Sequence, residues 1–137
     1  MLPEQQQRIL GYFLEEANDH LNTIEQGLLN LQSTLADSEM VNEIFRAAHS
    51  IKGGAAMLGL NSIQRTAHRL EDFFKILKEC PSIQIEQTLE SLFLQVFDNL
   101  KALLEQLQSG SSLSDGEASR LMSEVEPVFV ALEHQLS

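Results

Sequence analysis

The chain has 137 residues, 43% of them hydrophobic, with seven Gly, three Pro and no Trp, the size and apolar content of one domain that buries a core without staples. One cysteine, Cys80, excludes an internal disulfide framework, and 20 acidic residues against nine basic ones give a net charge of −11 that repels nucleic-acid phosphates and anionic lipid. The amino terminus lacks a charged n-region ahead of an apolar run, and no uncharged apolar stretch reaches the roughly 18 residues of a membrane span, so a cytoplasmic protein with no nucleic-acid and no membrane partner is expected, monomeric as an isolated domain.

Apolar residues recur at spacings of four and three through Leu10, Leu14, Ala17, Leu21, Ile24, Leu28, Leu31 and Leu35, which predicts one long helix with Pro3 in its first turn. A second helix is expected from Asp37 or Ser38, burying Val41, Ile44, Ala48, Ile51, Ala55 and Leu58, with Gly59 as its left-handed stop. The third opens at Asn61, whose side chain caps while Gln64 reaches back. It buries Ile63, Ala67, Leu70, Phe74 and Leu77 and ends before Pro81. The fourth shows Ile85, Leu89, Leu92, Val96, Leu100, Leu103 and Leu107 and closes at Ser109-Gly110. The fifth opens at Ser114 with Glu117 three residues on and runs through Ala118, Leu121, Val125, Phe129, Leu132 and Leu136. A bend or restart is expected at Pro127, which lacks the amide a helix interior needs. The fragment Ser82-Ile83-Gln84-Ile85 alternates as a strand does, but is too short to outweigh its surroundings. Short links force neighbouring helices antiparallel. The expected fold is all-α: an up-and-down antiparallel four-helix bundle over about residues 3–109, with an additional C-terminal fifth helix over about 114–136, in a single domain 1–137.

Six of the nine bases fall in residues 37–79, and so do the residues that a bundle would not choose. Gly53 and Gly54 stand together inside the second helix, where each costs about 0.5–1 kcal/mol relative to Ala. A local break or close helix packing is one explanation. The other starts from His49, which shares a face with Lys52 and Gly53 at spacings of three and four. At about 100° per residue, His49 lies roughly 130° and Gly53 roughly 170° from the centre of the buried stripe, so both look outward, with Phe45 and Ala56 on flanking rows. That is an exposed imidazole beside an ammonium group, over a floor that another protein can approach closely. On the third helix Gln64, His68, Glu71 and Lys75 form a polar row that can face His49. A carboxylate there accepts the Nδ1 proton and leaves Nε2 as the nucleophile; alternatively, Glu71 is an ordinary solvated helix acid.

The segment Phe45-Arg46-Ala47-Ala48-His49-Ser50-Ile51-Lys52-Gly53-Gly54-Ala55-Ala56-Met57-Leu58-Gly59-Leu60 resembles the phospho-acceptor segment of histidine-containing phosphotransfer domains. The likeness is most marked to the amino-terminal phosphotransfer domain of CheA-type chemotaxis kinases. It continues in Thr66-Ala67-His68-Arg69-Leu70-Glu71-Asp72 and in the first helix at Phe13-Leu14-Glu15-Glu16-Ala17, and it weakens from about residue 111. His-x-x-Lys-Gly followed 19 residues later by His-x-x-Glu is far more specific than either half. The resemblance implies that His49 is phosphorylated on Nε2, that Glu71 orients its ring, and that Lys52 and His68 complete a hydrogen-bonding set. It also implies that Phe45, Arg46, Gly53 and Ala56 form the docking face for partners. Those partners are a histidine kinase catalytic domain that gives the phosphoryl group and a response-regulator receiver domain whose aspartate takes it. No cofactor or metal is expected on this domain, because ATP and magnesium come with the partners and the sequence has no Gly-rich phosphate cradle. The domain is then no enzyme on its own but a carrier, read as a fragment of a CheA-like histidine kinase.

Three other readings compete. A dimerisation-type histidine kinase domain places an acid and then Thr-Pro after its His, whereas Ser50-Ile51-Lys52 follow here. A metal-binding bundle would draw on His20, His49, His68, Glu71 and Cys80, but lacks Glu-x-x-His pairs. The third is a helical adaptor without chemistry. His20 and His134 read as ordinary solvated or boundary histidines, and Cys80 as a partly buried helix-end residue.

Overall fold

The computed structural model describes residues 4–80, 85–108 and 115–136. Among the described residues six helices follow one another: α1 (Glu4–Leu28), α2 (Leu31–Leu35), α3 (Ser38–Met57), α4 (Asn61–Glu79), α5 (Gln87–Gln108) and α6 (Asp115–Leu136). Among the described residues there is no strand. The Ser82–Gln84 part of the strand-like fragment, the Ser109-Gly110 stop and the Ser114–Glu117 capping box lie outside what is described. Helix α3 packs on both α1 and α4, and α5 closes the ring against α4 and α1. Helix α6 lies alongside, against α5 and α4. This is the up-and-down bundle with its extra helix that the apolar spacing predicts.

The apolar stripes meet in one core. Ile24, Leu28, Ile44, Ile51, Leu70, Phe74 and Phe97 are almost wholly buried, and Phe93 takes the edges of Phe73 and Phe74 at centroid distances of 6.4 and 5.6 Å. Asp37 caps α3 by accepting from the amides of Glu39 and Met40 at 3.1 and 3.3 Å, and Gly59 takes the left-handed φ of 72° that ends it.

Three details depart from the sequence reading. The long first helix breaks after Leu28, and the Thr34 hydroxyl donates 2.8 Å back to the Gly27 carbonyl across the turn. The periodicity hides this break because Leu28 and Leu31 both stay fully buried on either side of it. Asn61 does not cap α4. Leu60 stands at that position with no side-chain bond, since the link is so short that Leu60 both closes α3, donating 2.9 Å to the Ala55 carbonyl, and opens α4, accepting from the Gln64 amide at 2.9 Å. Finally, of the bend or restart expected at Pro127, the restart does not occur: α6 is one helix through that residue. Its inner face holds regardless, because Leu121, Val125, Phe129 and Leu132 are buried against the bundle.

Candidate functional site

Side chains three and four apart on α3 share a face, and the α4-facing edge of that face carries Asn42, Phe45, His49 and Lys52. Each is met from α4. Lys78 donates to Asn42 at 2.9 Å and sits 5.7 Å from the Phe45 ring centroid, while Glu71 receives both His49 and Lys52. His49 Nδ1 lies 2.5 Å from Glu71 Oε2, and Lys52 Nζ lies 2.7 Å from Glu71 Oε1. Glu71 is thus no solvated helix acid: its side chain is 8% exposed, against 62% for His49.

Electrostatics fixes the protonation pattern. Burial pushes the Glu71 carboxyl up, but the hydrogen bonds and charges of Lys52 and His49 outweigh it and hold the group below its ordinary value of 4.5. An ionised carboxylate only accepts, so the proton of the shared bond belongs to Nδ1. A neutral ring then keeps its lone pair on Nε2, the nitrogen that Glu71 does not hold.

The two glycines divide between the two explanations. A Cβ on Gly53 would meet nothing within 4 Å, whereas a Cβ on Gly54 would come within 2.7 Å of the Phe13 ring of α1. Gly54 serves close helix packing, and Gly53 leaves open space one turn beyond His49. Arg46 and Ala56 are exposed, and Phe45 is half-buried under Lys78. His68 departs from its expected place: it turns to Asp72, with Nε2 3.5 Å from Oδ2, and among the described residues makes no hydrogen bond to His49. The candidate metal set His20, His49, His68, Glu71 and Cys80 does not assemble. Among the described residues the group that gathers is His68, Glu71 and Asp72. Cys80, the residue that follows α4, is exposed rather than partly buried.

Sequence reasoning missed a groove between α1 and α3 that begins beside the site at Ser50 and Gly54. Ile9, Tyr12 and Met57 line it with half or more of their surface exposed, and Met57 is 87% exposed. The available signal was their phase: all three fall off the buried stripe of their helices.

A buried carboxylate bonded to Nδ1 of an exposed imidazole on an antiparallel helix pair is an arrangement able to leave Nε2 as a nucleophile. The family model of the Hpt domain matches residues 8–110. The chain belongs to the Hpt domain family. The match spans α1 to α5 apart from the first turn, and so includes His49 and Glu71, while α6 lies beyond it. This Hpt domain is 39% identical over 93 residues to chemotaxis protein CheA of Klebsiella aerogenes, covering 68% of this chain and 14% of the relative. It is 31% identical over 104 residues to CheA of Borreliella burgdorferi, covering 76% of this chain and 12% of the relative. It is 30% identical over 116 residues to CheA of Bacillus subtilis, covering 85% and 16%. The chain therefore spans about one seventh of the length of such relatives. Among solved structures, the fold matches that of the phosphorylated P1 domain of CheA3 in complex with CheY6 from R. sphaeroides, with a TM-score of 0.69 at 24% identity. That match covers 91% of this chain and 98% of the other. Among the described residues no helix is long and apolar enough to cross a membrane.

Proposed function

We propose that this Hpt domain carries a phosphoryl group on Nε2 of His49, taking it from the ATP-bound kinase domain of a CheA-like protein and passing it to an aspartate of a response-regulator receiver. The observation that carries the reading is the pairing of a 62% exposed His49 with the buried Glu71 at 2.5 Å. The Nε2 lone pair attacks phosphorus as the donor's P–O bond breaks, with that electron pair leaving on the donor oxygen. No proton has to leave the ring: Nδ1 keeps its hydrogen, and the positive charge that grows on the imidazole is stabilised by ionised Glu71. Transfer onward reverses the step, with a receiver carboxylate as the nucleophile. Lys52 holds the second oxygen of Glu71 and so keeps the carboxylate aimed at Nδ1. His68, turned to Asp72, belongs to the rim of the site rather than to its hydrogen-bonded centre.

Donor and acceptor must both reach one exposed ring, and the open floor at Gly53 and Ala56 gives them room. The groove of Ile9, Tyr12 and Met57 adds apolar area beside it for docking. The complex of the R. sphaeroides P1 domain with CheY6 supports a receiver as one partner, and the CheA relatives support a place within a longer histidine kinase. In this reading ATP and magnesium sit on the partner domains. The test is incubation with ATP and the kinase domain of a CheA-type protein. One acid-labile, alkali-stable phosphoryl group is expected, and His49→Gln removes it with helicity unchanged by circular dichroism. Phosphorylation that persists in His49→Gln contradicts the assignment.

A further inference from the structure

Nearly every base in this acidic chain has a partner. Arg8 pairs with Glu4, Lys52 with Glu71, Arg65 with Glu126, Arg69 with Glu133 and Arg120 with Glu124, and Lys78 is bound to Asn42. Among the described residues the exceptions are Arg46, Lys75 and Lys101, all exposed, and the first two lie one helical turn from His49 and from Glu71. Glu43 and Asp72 stand three residues from Arg46 and Lys75, yet neither comes within ion-pair distance of them.

Helical phase places both cations on rows that flank His49 and Glu71. At about 100° per residue, Lys52 and Arg46 lie roughly 60° to either side of His49 around α3. Lys52 is on the side that meets Glu71, and Arg46 is on the opposite side of His49. Helical side chains lean toward the helix N-terminus, which carries the His49 ring over the turn that bears Arg46. Helix α4 runs antiparallel, so the step from Glu71 to Lys75 goes in the same direction along the bundle. Lys75 is also turned about 40° further toward solvent than Glu71. Both side chains are long enough to reach back across one turn of about 5.4 Å.

We propose that Arg46 and Lys75, one on each side of the His49 ring, are the cations that neutralise the phosphoryl group on Nε2, a role closed to Lys52 while it is bound to Glu71. The proposal rests on His49 as the acceptor. With a nucleotide-bearing kinase domain the bond changes are those already given; with phosphoramidate the donor's P–N bond breaks instead, and its electron pair leaves on the already protonated nitrogen as ammonia. Arg46 and Lys75 only offset negative charge on the phosphoryl oxygens as the new N–P bond forms, and they neither give nor take a proton.

The test uses the whole chain and the small donor phosphoramidate, which has no surface to dock. Arg46→Gln and Lys75→Gln should each slow phosphorylation by up to about fivefold, and the double variant by roughly tenfold. In the phosphorylated double variant, the 31P titration midpoint of the phosphoryl group should rise by roughly half a unit, because loss of nearby positive charge disfavours the dianion. Arg46→Lys should restore most of the rate. An unchanged midpoint and rate overturn the proposal while leaving His49 as acceptor. Slowing confined to transfer from a kinase domain overturns it too, since the two residues would then be docking contacts. A larger midpoint shift in Lys52→Gln than in the double variant returns the role to Lys52. A parent chain that phosphoramidate and kinase both fail to label overturns this proposal and the carrier reading together.

Discussion

Glu71 shows how much a single side chain draws from its neighbours. Its carboxylate is buried yet ionised, which is stable only because Lys52 and His49 occupy its two oxygens. Glu71→Gln keeps the shape and removes the charge, so the Nδ1-H tautomer of His49 should lose its preference and phosphorylation should slow by about 10–100-fold, with little change in helicity. Imidazole 15N shifts check the tautomer; identical shifts in both proteins would mean that the two groups do not interact. The same charge sets an acid limb of stability. The folded carboxyl lies below its ordinary value of 4.5, so its contribution is present above pH 4.5 and is lost as pH falls through the folded value. The resistance of the parent to urea should therefore fall on acidification below about pH 5, and Glu71→Gln should flatten that slope. The adjacent glycines give an independent check. Gly53→Ala meets open space and should stabilise by up to about 1 kcal/mol, whereas Gly54→Ala drives a methyl into Phe13 and should be about 1–2 kcal/mol less stable than Gly53→Ala. A bulkier Gly53→Gln should fold normally yet obstruct transfer between proteins more than reaction with phosphoramidate. Equal losses of stability at both positions would place Gly53 in packing and remove the open floor.

At the scale of the elements, α1 and α3 approach each other through Gly27. A Cβ there would stand 1.9 Å from Ile44 Cδ1, and Ile44 is fully buried with nowhere to move. Gly27→Ala should cost about 1–3 kcal/mol in a thermal or urea melt, and a neutral outcome would show that the helices slide apart freely. The apolar spacing could not reveal this contact, because a glycine inside a helix looks the same whether it packs or is merely tolerated. It also could not reveal the break at Leu28, since the five-residue α2 keeps Leu31 in phase with the stripe. Helix α6 is a different case. Its buried face was legible, but its attachment depends on groups that look solvated in sequence: Arg65 and Arg69 of α4 pair with Glu126 and Glu133, and the Arg69 guanidinium lies 4.9 and 5.0 Å from the ring centroids of Phe73 and Phe129. Although α6 lies beyond the residues matched by the family model, Leu132 is fully buried, so Leu132→Ala should cost about 2–5 kcal/mol. A cost below about 1 kcal/mol would make α6 a loosely attached appendage.

For the molecule as a whole, the bundle was legible because each helix repeats one apolar stripe and the α2–α3 and α3–α4 links are too short for any but antiparallel neighbours. His49, Lys52 and Gly53 were legible as a group because they fall on one outward row of one helix. The burial of Glu71 was not, since its row of Gln64, His68 and Lys75 is polar and the carboxylate sinks only where α3 covers it. The site therefore exists at the level of two packed helices rather than in either alone. Antiparallel packing converts two short sequence patterns, 19 residues apart, into an exposed imidazole held by a buried carboxylate. If Nε2 of His49 is the phosphoryl acceptor, as proposed, 31P–15N coupling in the phosphorylated, 15N-histidine-labelled chain will report it. A phosphoryl group coupled to Nε2 of His49 while Nδ1 retains its hydrogen is expected; coupling to Nδ1, or to a nitrogen of His20, His68 or His134, would place the acceptor elsewhere.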